Sequence, residues 1–175
     1  MIITAGEFKG QKIIAPDEKI TRPTLSKVRM AVFNTLQAII DFEGKSFFDM
    51  FAGSGIMGLE ALSRGFSHLT ACEKNNKAAG ILKANYKKFA AVRDIKLLTG
   101  DSLKTAKTLE PPYDVIYIDP PYFSGVYEES LNAIKHLGGI VILEHVVDVD
   151  FTGWEVVKQK KYADKYITFL RPTEE

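Results

Sequence analysis

The sequence predicts an α/β domain on a mostly parallel seven-stranded sheet, ending in an antiparallel strand pair and preceded by a small β-hairpin. Three observations carry that prediction. Five short apolar runs alternate with segments of helical periodicity, a glycine-rich turn follows the first run, and two segments of period-two alternation close the chain. Residues 1–15 read as the hairpin, with Gly6 and Gly10 at its bend, within an N-terminal extension of residues 1–20. The core is expected over 21–175 as one domain. Thr24 is the expected N-cap of a helix reaching about Ile40, because Val28, Val32, Leu36 and Ile39 recur at helical spacing. Strands are expected near 46–51, 67–73, 94–99, 113–118 and 139–146, with helices at 56–64, 75–90, 102–109 and 125–137 between them. Segments 154–161 and 166–171 alternate well enough to pair and finish the sheet.

Composition agrees with a single soluble unit. A chain of 175 residues is long enough to bury a substantial core. Its single cysteine, Cys72, excludes an internal disulfide and sits in the second apolar run, where it reads as a packing residue. His68, His136 and His145 lack metal-ligand spacing, so no metal is assigned. The N-terminus has no basic segment followed by a long apolar stretch, and no run approaches the roughly 18 apolar residues of a membrane span. A cytoplasmic monomer without membrane contact is expected.

Two motifs carry chemistry. At the end of the run 113–118 stands Asp119-Pro120-Pro121-Tyr122, which places an acidic acceptor, a rigid carbonyl-bearing turn and an aromatic ring at the carboxyl edge of a buried strand. Open α/β sheets bind ligands at that edge. The combination suits a planar substrate bearing an NH2 group whose lone pair is conjugated into its ring. An acceptor pulling on the N–H bonds helps to rehybridise such a nitrogen, and Tyr122 can stack on the ring. A bare strand-stop and a packing Tyr would use the same residues.

The second motif follows the run 46–51. Gly53, Gly55 and Gly58 have Gly-x-Gly-x-x-Gly spacing between a strand and a helix, where backbone N–H groups are free to meet a ligand. Glu73 lies 18 residues beyond Gly55, at the end of the second run, where a carboxylate can accept from ribose hydroxyls. An adenosine-containing cofactor is expected. Asp49, four residues before Gly53, would be unhelpful beside a pyrophosphate but suits the sulfonium and ammonium of S-adenosylmethionine. Asp101 ends the third run and can either contact the adenine amine or cap the next helix.

Asp49-x-Phe51-Ala52-Gly53-Ser54-Gly55, Glu73, Asp101 and the Asp-Pro-Pro-Tyr motif, in that order, resemble the Rossmann-like class I S-adenosylmethionine-dependent methyltransferases of exocyclic nucleobase amines. Gly6, Gly10 and Lys12, then Arg22-Pro23-Thr24, Arg29 and Phe33-Asn34, are similar to the RsmD-like family, which methylates a guanine 2-amino group in 16S ribosomal RNA. The resemblance spans nearly the whole chain. It implies that Asp49 and the backbone at Ala52, Gly53, Ser54 and Gly55 hold the methionine part. Glu73 would hold the ribose and Asp101 with Ser102 the adenine, with Phe51 and Lys74 completing the set. Asp119 and the Pro120 carbonyl would accept from the target amine while Pro121 shapes the turn and Tyr122 stacks. Two positions depart from the family: Gln11 replaces a common basic residue, and Asn75 an acid that often follows the ribose-binding Glu.

Charge distribution points to the partner. The net charge is +1, yet residues 1–30 hold six basic against three acidic side chains. Such a local excess can form a footprint for a phosphate backbone. Lys9, Lys12, Arg22 and Arg29 are the expected contacts to ribosomal RNA, free or in an assembled small-subunit particle, although either arginine could pair with a carboxylate instead. Lys158, Lys160, Lys161 and Lys165 add basic character near the final strands, where solvated edge lysines are also ordinary. An amine methyltransferase of DNA or another RNA guanine, an NAD-dependent oxidoreductase and a non-enzymatic RNA-binding module are the competing classes.

Overall fold

The computed structural model describes residues 1–15, 26–121 and 126–174. Thr24, Arg22 and Tyr122 therefore lie outside the described residues. The elements, in chain order, are α1 (Ser26–Gln37), β1 (Ser46–Asp49), α2 (Ile56–Ser63), β2 (His68–Glu73), α3 (Asn76–Lys87), β3 (Asp94–Thr99), α4 (Ser102–Thr108), β4 (Val115–Ile118), α5 (Val126–Ile134), β5 (Ile140–His145), β6 (Trp154–Tyr162) and β7 (Lys165–Pro172), with a 3-10 turn at Lys135–Leu137 after α5.

All seven strands join one sheet in the order β3-β2-β1-β4-β5-β7-β6. The first five are parallel, and β7 and β6 add on as antiparallel strands. Each central strand is buried on both faces, so its side chains divide by period two. Phe47, Val115, Tyr117 and Ile142 face a cluster with Val32, Phe33 and Leu36 of α1 and Leu82 and Tyr86 of α3. Phe48, Ile116, Ile118 and Leu143 face the opposite cluster, where Ala106 of α4 and Tyr127, Leu131 and Ile134 of α5 pack. The result is three layers, helix over sheet over helix.

Chain direction creates the crevice. From β1 the chain moves outward through β2 to β3, then returns to place β4 on the other side of β1. The connections therefore diverge at the carboxyl ends of β1 and β4, which is where open sheets of this kind leave room for a ligand. Asp49 ends β1, beside Tyr117 of β4 in register, and Asp119 follows β4 directly.

The N-terminal extension is less regular than a hairpin. Ile2 and Lys12 form a single antiparallel bridge, and Ile3 N–H and Ile13 N–H donate to Gln11 O and Met1 O. Gly10 N–H also returns to Ile3 O, but three further backbone donors bond outside the segment: Glu7 N–H to Ser63 O, Phe8 N–H to Ser63 Oγ, and Ile14 N–H to Asn85 Oδ1. A ladder is thus exchanged for docking on α2 and α3, with Ile3, Phe8 and Ile13 buried underneath. Helix α1 stops at Gln37, three residues short of the expected end, and tightens through bonds from Ala38 N–H to Thr35 O and Ile39 N–H to Leu36 O. Among the described residues no helix is long and apolar enough to cross a membrane.

Candidate active site

The glycine turn is held in place by β2. Ala52 N–H donates to Cys72 O at 2.9 Å and Gly53 N–H to Glu73 Oε1 at 2.8 Å. Gly55 caps α2 with φ +83, and a Cβ there would come within 2.1 Å of Leu82 Cδ1. Gly58 allows α2 to lie on β2, since a Cβ would meet both Leu69 methyls at 2.7 Å. Two of the three glycines in the motif are thus demanded by packing as well as by any ligand.

Asp49 is 1 % exposed, and neither carboxylate oxygen has a hydrogen-bond partner of regular geometry among the described residues. Burial pushes its carboxyl well above the ordinary range, and the charges of Asp119, Glu73 and Glu144 push it further; the Gly58 amide only partly offsets this. The Tyr86 hydroxyl is also buried without a partner of regular geometry, and its phenol is raised first by burial and then by Asp49 and Glu73. Glu73 is half-buried, with Oε1 bound to Gly53 N–H and Oε2 to Asn75 N–H at 2.8 Å. Those bonds fix its orientation and leave each oxygen a second lone pair for a hydroxyl. Lys74 is exposed beside it, and Phe51 is half-buried.

Asp101 takes the capping role. Its Oδ1 accepts from Lys104 N–H at 2.9 Å at the start of α4, and that bond, aided by the Lys74 and Lys104 charges, holds its carboxyl below the usual range. Ser102 is buried next to it. Asn75, one of the departures from the family pattern, caps α3 through a 3.0 Å bond from Ala78 N–H to its Oδ1. Cys72 is a buried thiol, raised chiefly by burial.

Asp119 stands across the switch point from Asp49, half-buried, with Pro120 buried and Pro121 exposed. Burial pushes its carboxyl up while Lys165, with Nζ 3.8 Å from Oδ1, pulls it down. Lys165 also pairs at 3.2 Å with Oε1 of the fully buried Glu144. Neither Glu144 nor this use of Lys165 was anticipated. The signal is present, because Glu144 lies near the carboxyl end of an apolar run as Asp49 and Asp119 do, whereas Lys165 lies in a basic stretch that reads as solvated.

One expected RNA contact is reassigned. Arg29 is 3 % exposed, its Nε lies 3.4 Å from Glu60 Oε1, and its Nη2 donates to Ile2 O. It serves as the carboxylate-paired arginine that ties α1 to α2 and the extension. Lys9 and Lys12 remain exposed on the outer side of the extension, and Lys158 and Lys161 on edge strand β6.

A mostly parallel sheet with this strand order, a glycine turn after β1 and acidic side chains at or next to the carboxyl ends of β1, β2, β4 and β5 defines a Rossmann-like class I methyltransferase fold. The sequence profile of the family described as "Conserved hypothetical protein 95" matches residues 1–171. The chain belongs to that family, the RsmD family. It is 33 % identical to the ribosomal RNA small subunit methyltransferase D of Buchnera aphidicola, over 77 % of this chain and 69 % of that one. Against the protein of that name in Escherichia coli it is 31 % identical, over 78 % and 67 %. Among solved structures it superposes on E. coli yhhF, provisionally described as a methyltransferase, with TM-score 0.85 and 23 % identity over 98 % of this chain and 97 % of that one.

Proposed function

We propose that the protein methylates the exocyclic 2-amino group of a guanine in small-subunit ribosomal RNA, with S-adenosylmethionine as donor. The observation that carries the reading is the pair of acids at the switch point, Asp49 ending β1 and Asp119 following β4. The donor set fits the cofactor: a buried carboxylate without a regular partner, flanked by three more carboxylates, favours a sulfonium and an ammonium. The same charges oppose the pyrophosphate of a dinucleotide. The names of the relatives support ribosomal RNA as the substrate, and the resemblance of the N-terminal segment supports guanine.

When bound, S-adenosylmethionine supplies an electrophilic methyl group on a positively charged sulfur. Asp49 would hold its ammonium, Glu73 its ribose hydroxyls, and Ser102 its adenine together with the Asp101 carboxylate, whose Oδ1 caps α4 and whose other oxygen would face the adenine amine. The guanine must be unpaired or flipped to enter. Asp119 and the Pro120 carbonyl would accept hydrogen bonds from its amine and so turn the nitrogen lone pair into the crevice, and the proton the amine gives up on methylation would pass to solvent. Tyr122 is assigned the stacking role. Most acceleration then comes from holding nucleophile and methyl in line, with no covalent enzyme intermediate.

The test combines nucleoside mass spectrometry with one variant. Small-subunit RNA from a strain lacking the gene should lose one N2-methylguanosine, which purified protein should restore on naked or assembled RNA. Asp119→Ala should slow turnover by about a thousandfold while S-adenosylhomocysteine affinity stays within about threefold. Equal loss of both would make Asp119 a cofactor or structural residue. A different missing nucleoside would move the reading to another amine.

A further inference from the structure

The chain's return at β7 brings a cation to the carboxyl edge. Strand β7 runs antiparallel to β5 with Tyr166 opposite His145, so Lys165 begins where β5 ends. Its Nζ lies 3.2 Å from Glu144 Oε1 and 3.8 Å from Asp119 Oδ1, and the side chain is 22 % exposed. A surface lysine ordinarily carries its ammonium out to water. This one lies between two acids.

The two ion pairs differ in length. At 3.2 Å the ammonium sits close against Glu144, whose buried oxygens have no hydrogen-bond partner of regular geometry among the described residues; at 3.8 Å it acts on Asp119 through charge, beyond hydrogen-bond range, which leaves the Asp119 lone pairs available. We propose that Lys165 is a positioning residue of the methyl-transfer site, tethered by Glu144 so that its charge keeps Asp119 an oriented, anionic acceptor for the target amine. The proposal rests on the role given to Asp119 above.

The charges around Asp119 make the dependence explicit. Asp49 faces it from β1, Glu144 from β5 and Lys165 from β7, while Glu73 of β2 and Tyr86 of α3 stand behind Asp49. Burial raises both Asp119 and Glu144, and the Lys165 charge opposes that rise in each. A protonated Asp119 would be a poorer acceptor for the amine. Removing the cation must shift Asp119 toward that form.

Full-length Lys165→Met and Lys165→Arg are compared with the parent in three measurements: the pH profile of kcat, S-adenosylhomocysteine affinity, and the Asp119 carboxyl titration followed by 13C NMR. For the Met variant the acid limb of kcat and the Asp119 titration should both move up by about one pH unit or more, as expected when an opposite charge is lost at this range. Turnover measured about one pH unit below the parental limb should then fall about tenfold and recover at pH values above the shifted limb, with cofactor affinity within about threefold. Lys165→Arg should keep the parental limb. If the Met variant melts below the assay temperature, Lys165→Gln carries the comparison, since it keeps a donor without the charge. An unchanged Asp119 titration in a folded, uncharged variant overturns the proposal, as does lost activity with an unmoved acid limb. Should the parent protein methylate no guanine, the functional reading fails, yet the Asp119 titration still decides whether Lys165 sets its charge.

Discussion

The Asp49 carboxyl is 1 % exposed and repelled by Asp119, Glu73 and Glu144, so its proton is held more tightly in the folded chain than in the unfolded one. A carboxyl raised in this way favours folding below its unfolded pKa of about 4, and that contribution is lost as pH rises through the folded value. At neutral pH Asp49 therefore weakens the ligand-free fold, and a cation bound beside it would relieve that cost. Asp49→Asn should raise stability by roughly 1–3 kcal/mol at pH 7 in chemical denaturation, by removing a buried charge without a regular partner. The gain should shrink as pH falls through the folded pKa, where the parent residue is already neutral. S-adenosylhomocysteine affinity should meanwhile drop at least about tenfold, as loss of a charged hydrogen-bond acceptor predicts. A variant that is less stable and binds normally would show that Asp49 is structural.

Helix α2 is organised around a single acid. Glu60 is fully buried and accepts from Thr4 N–H at 2.7 Å and Thr4 Oγ1 at 3.0 Å, while Arg29 Nε and Arg64 Nε each lie 3.4 Å away. It joins the extension, α1 and α2, and Arg29 is charged in a space where burial disfavours its charge and Glu60 restores it. Glu60→Gln should cost about 3–5 kcal/mol in urea unfolding, because it strands buried arginine charge, and Glu60→Met with Arg29→Met should recover much of that loss. No recovery would mean that the acid is needed for the Thr4 bonds alone. Glu60 also shows where sequence reasoning stops. The five parallel strands are legible because each is a short apolar run ended by an acid or a turn, the last two because they alternate with period two, and the acids Asp49, Glu73, Asp101 and Asp119 because they close those runs. Glu60 lies within Ile-Met-Gly-Leu-Glu-Ala-Leu, and Thr4 and Arg29 reach it only through tertiary packing. Strand order was equally hidden, since a parallel strand leaves no local mark of its neighbour. Lys165 reads in sequence as one more solvated lysine, because β7's antiparallel return, not composition, carries it to Asp119.

Across the whole molecule, charge is divided by place. The carboxyl edge of the sheet gathers Asp49, Glu73, Asp119 and Glu144, whereas the exposed lysines Lys9 and Lys12 sit on the extension that packs on α2 and α3. A net charge of +1 gives little overall attraction to RNA, so binding must come from a local surface placed beside the crevice's scaffold. Each lysine that neutralises a phosphate releases counterions, which makes affinity fall with salt in proportion to the number of contacts. Lys9→Ala with Lys12→Ala should therefore lower the slope of log affinity against log salt by about 1.5, measured on small-subunit RNA or its assembled particle. Thermal stability should hold, because both side chains are exposed while Ile3, Phe8 and Ile13 do the packing. S-adenosylhomocysteine affinity should hold too, since the crevice acids are untouched. An unchanged salt slope would remove the extension from the RNA interface and shift the search to Lys158 and Lys161 on β6.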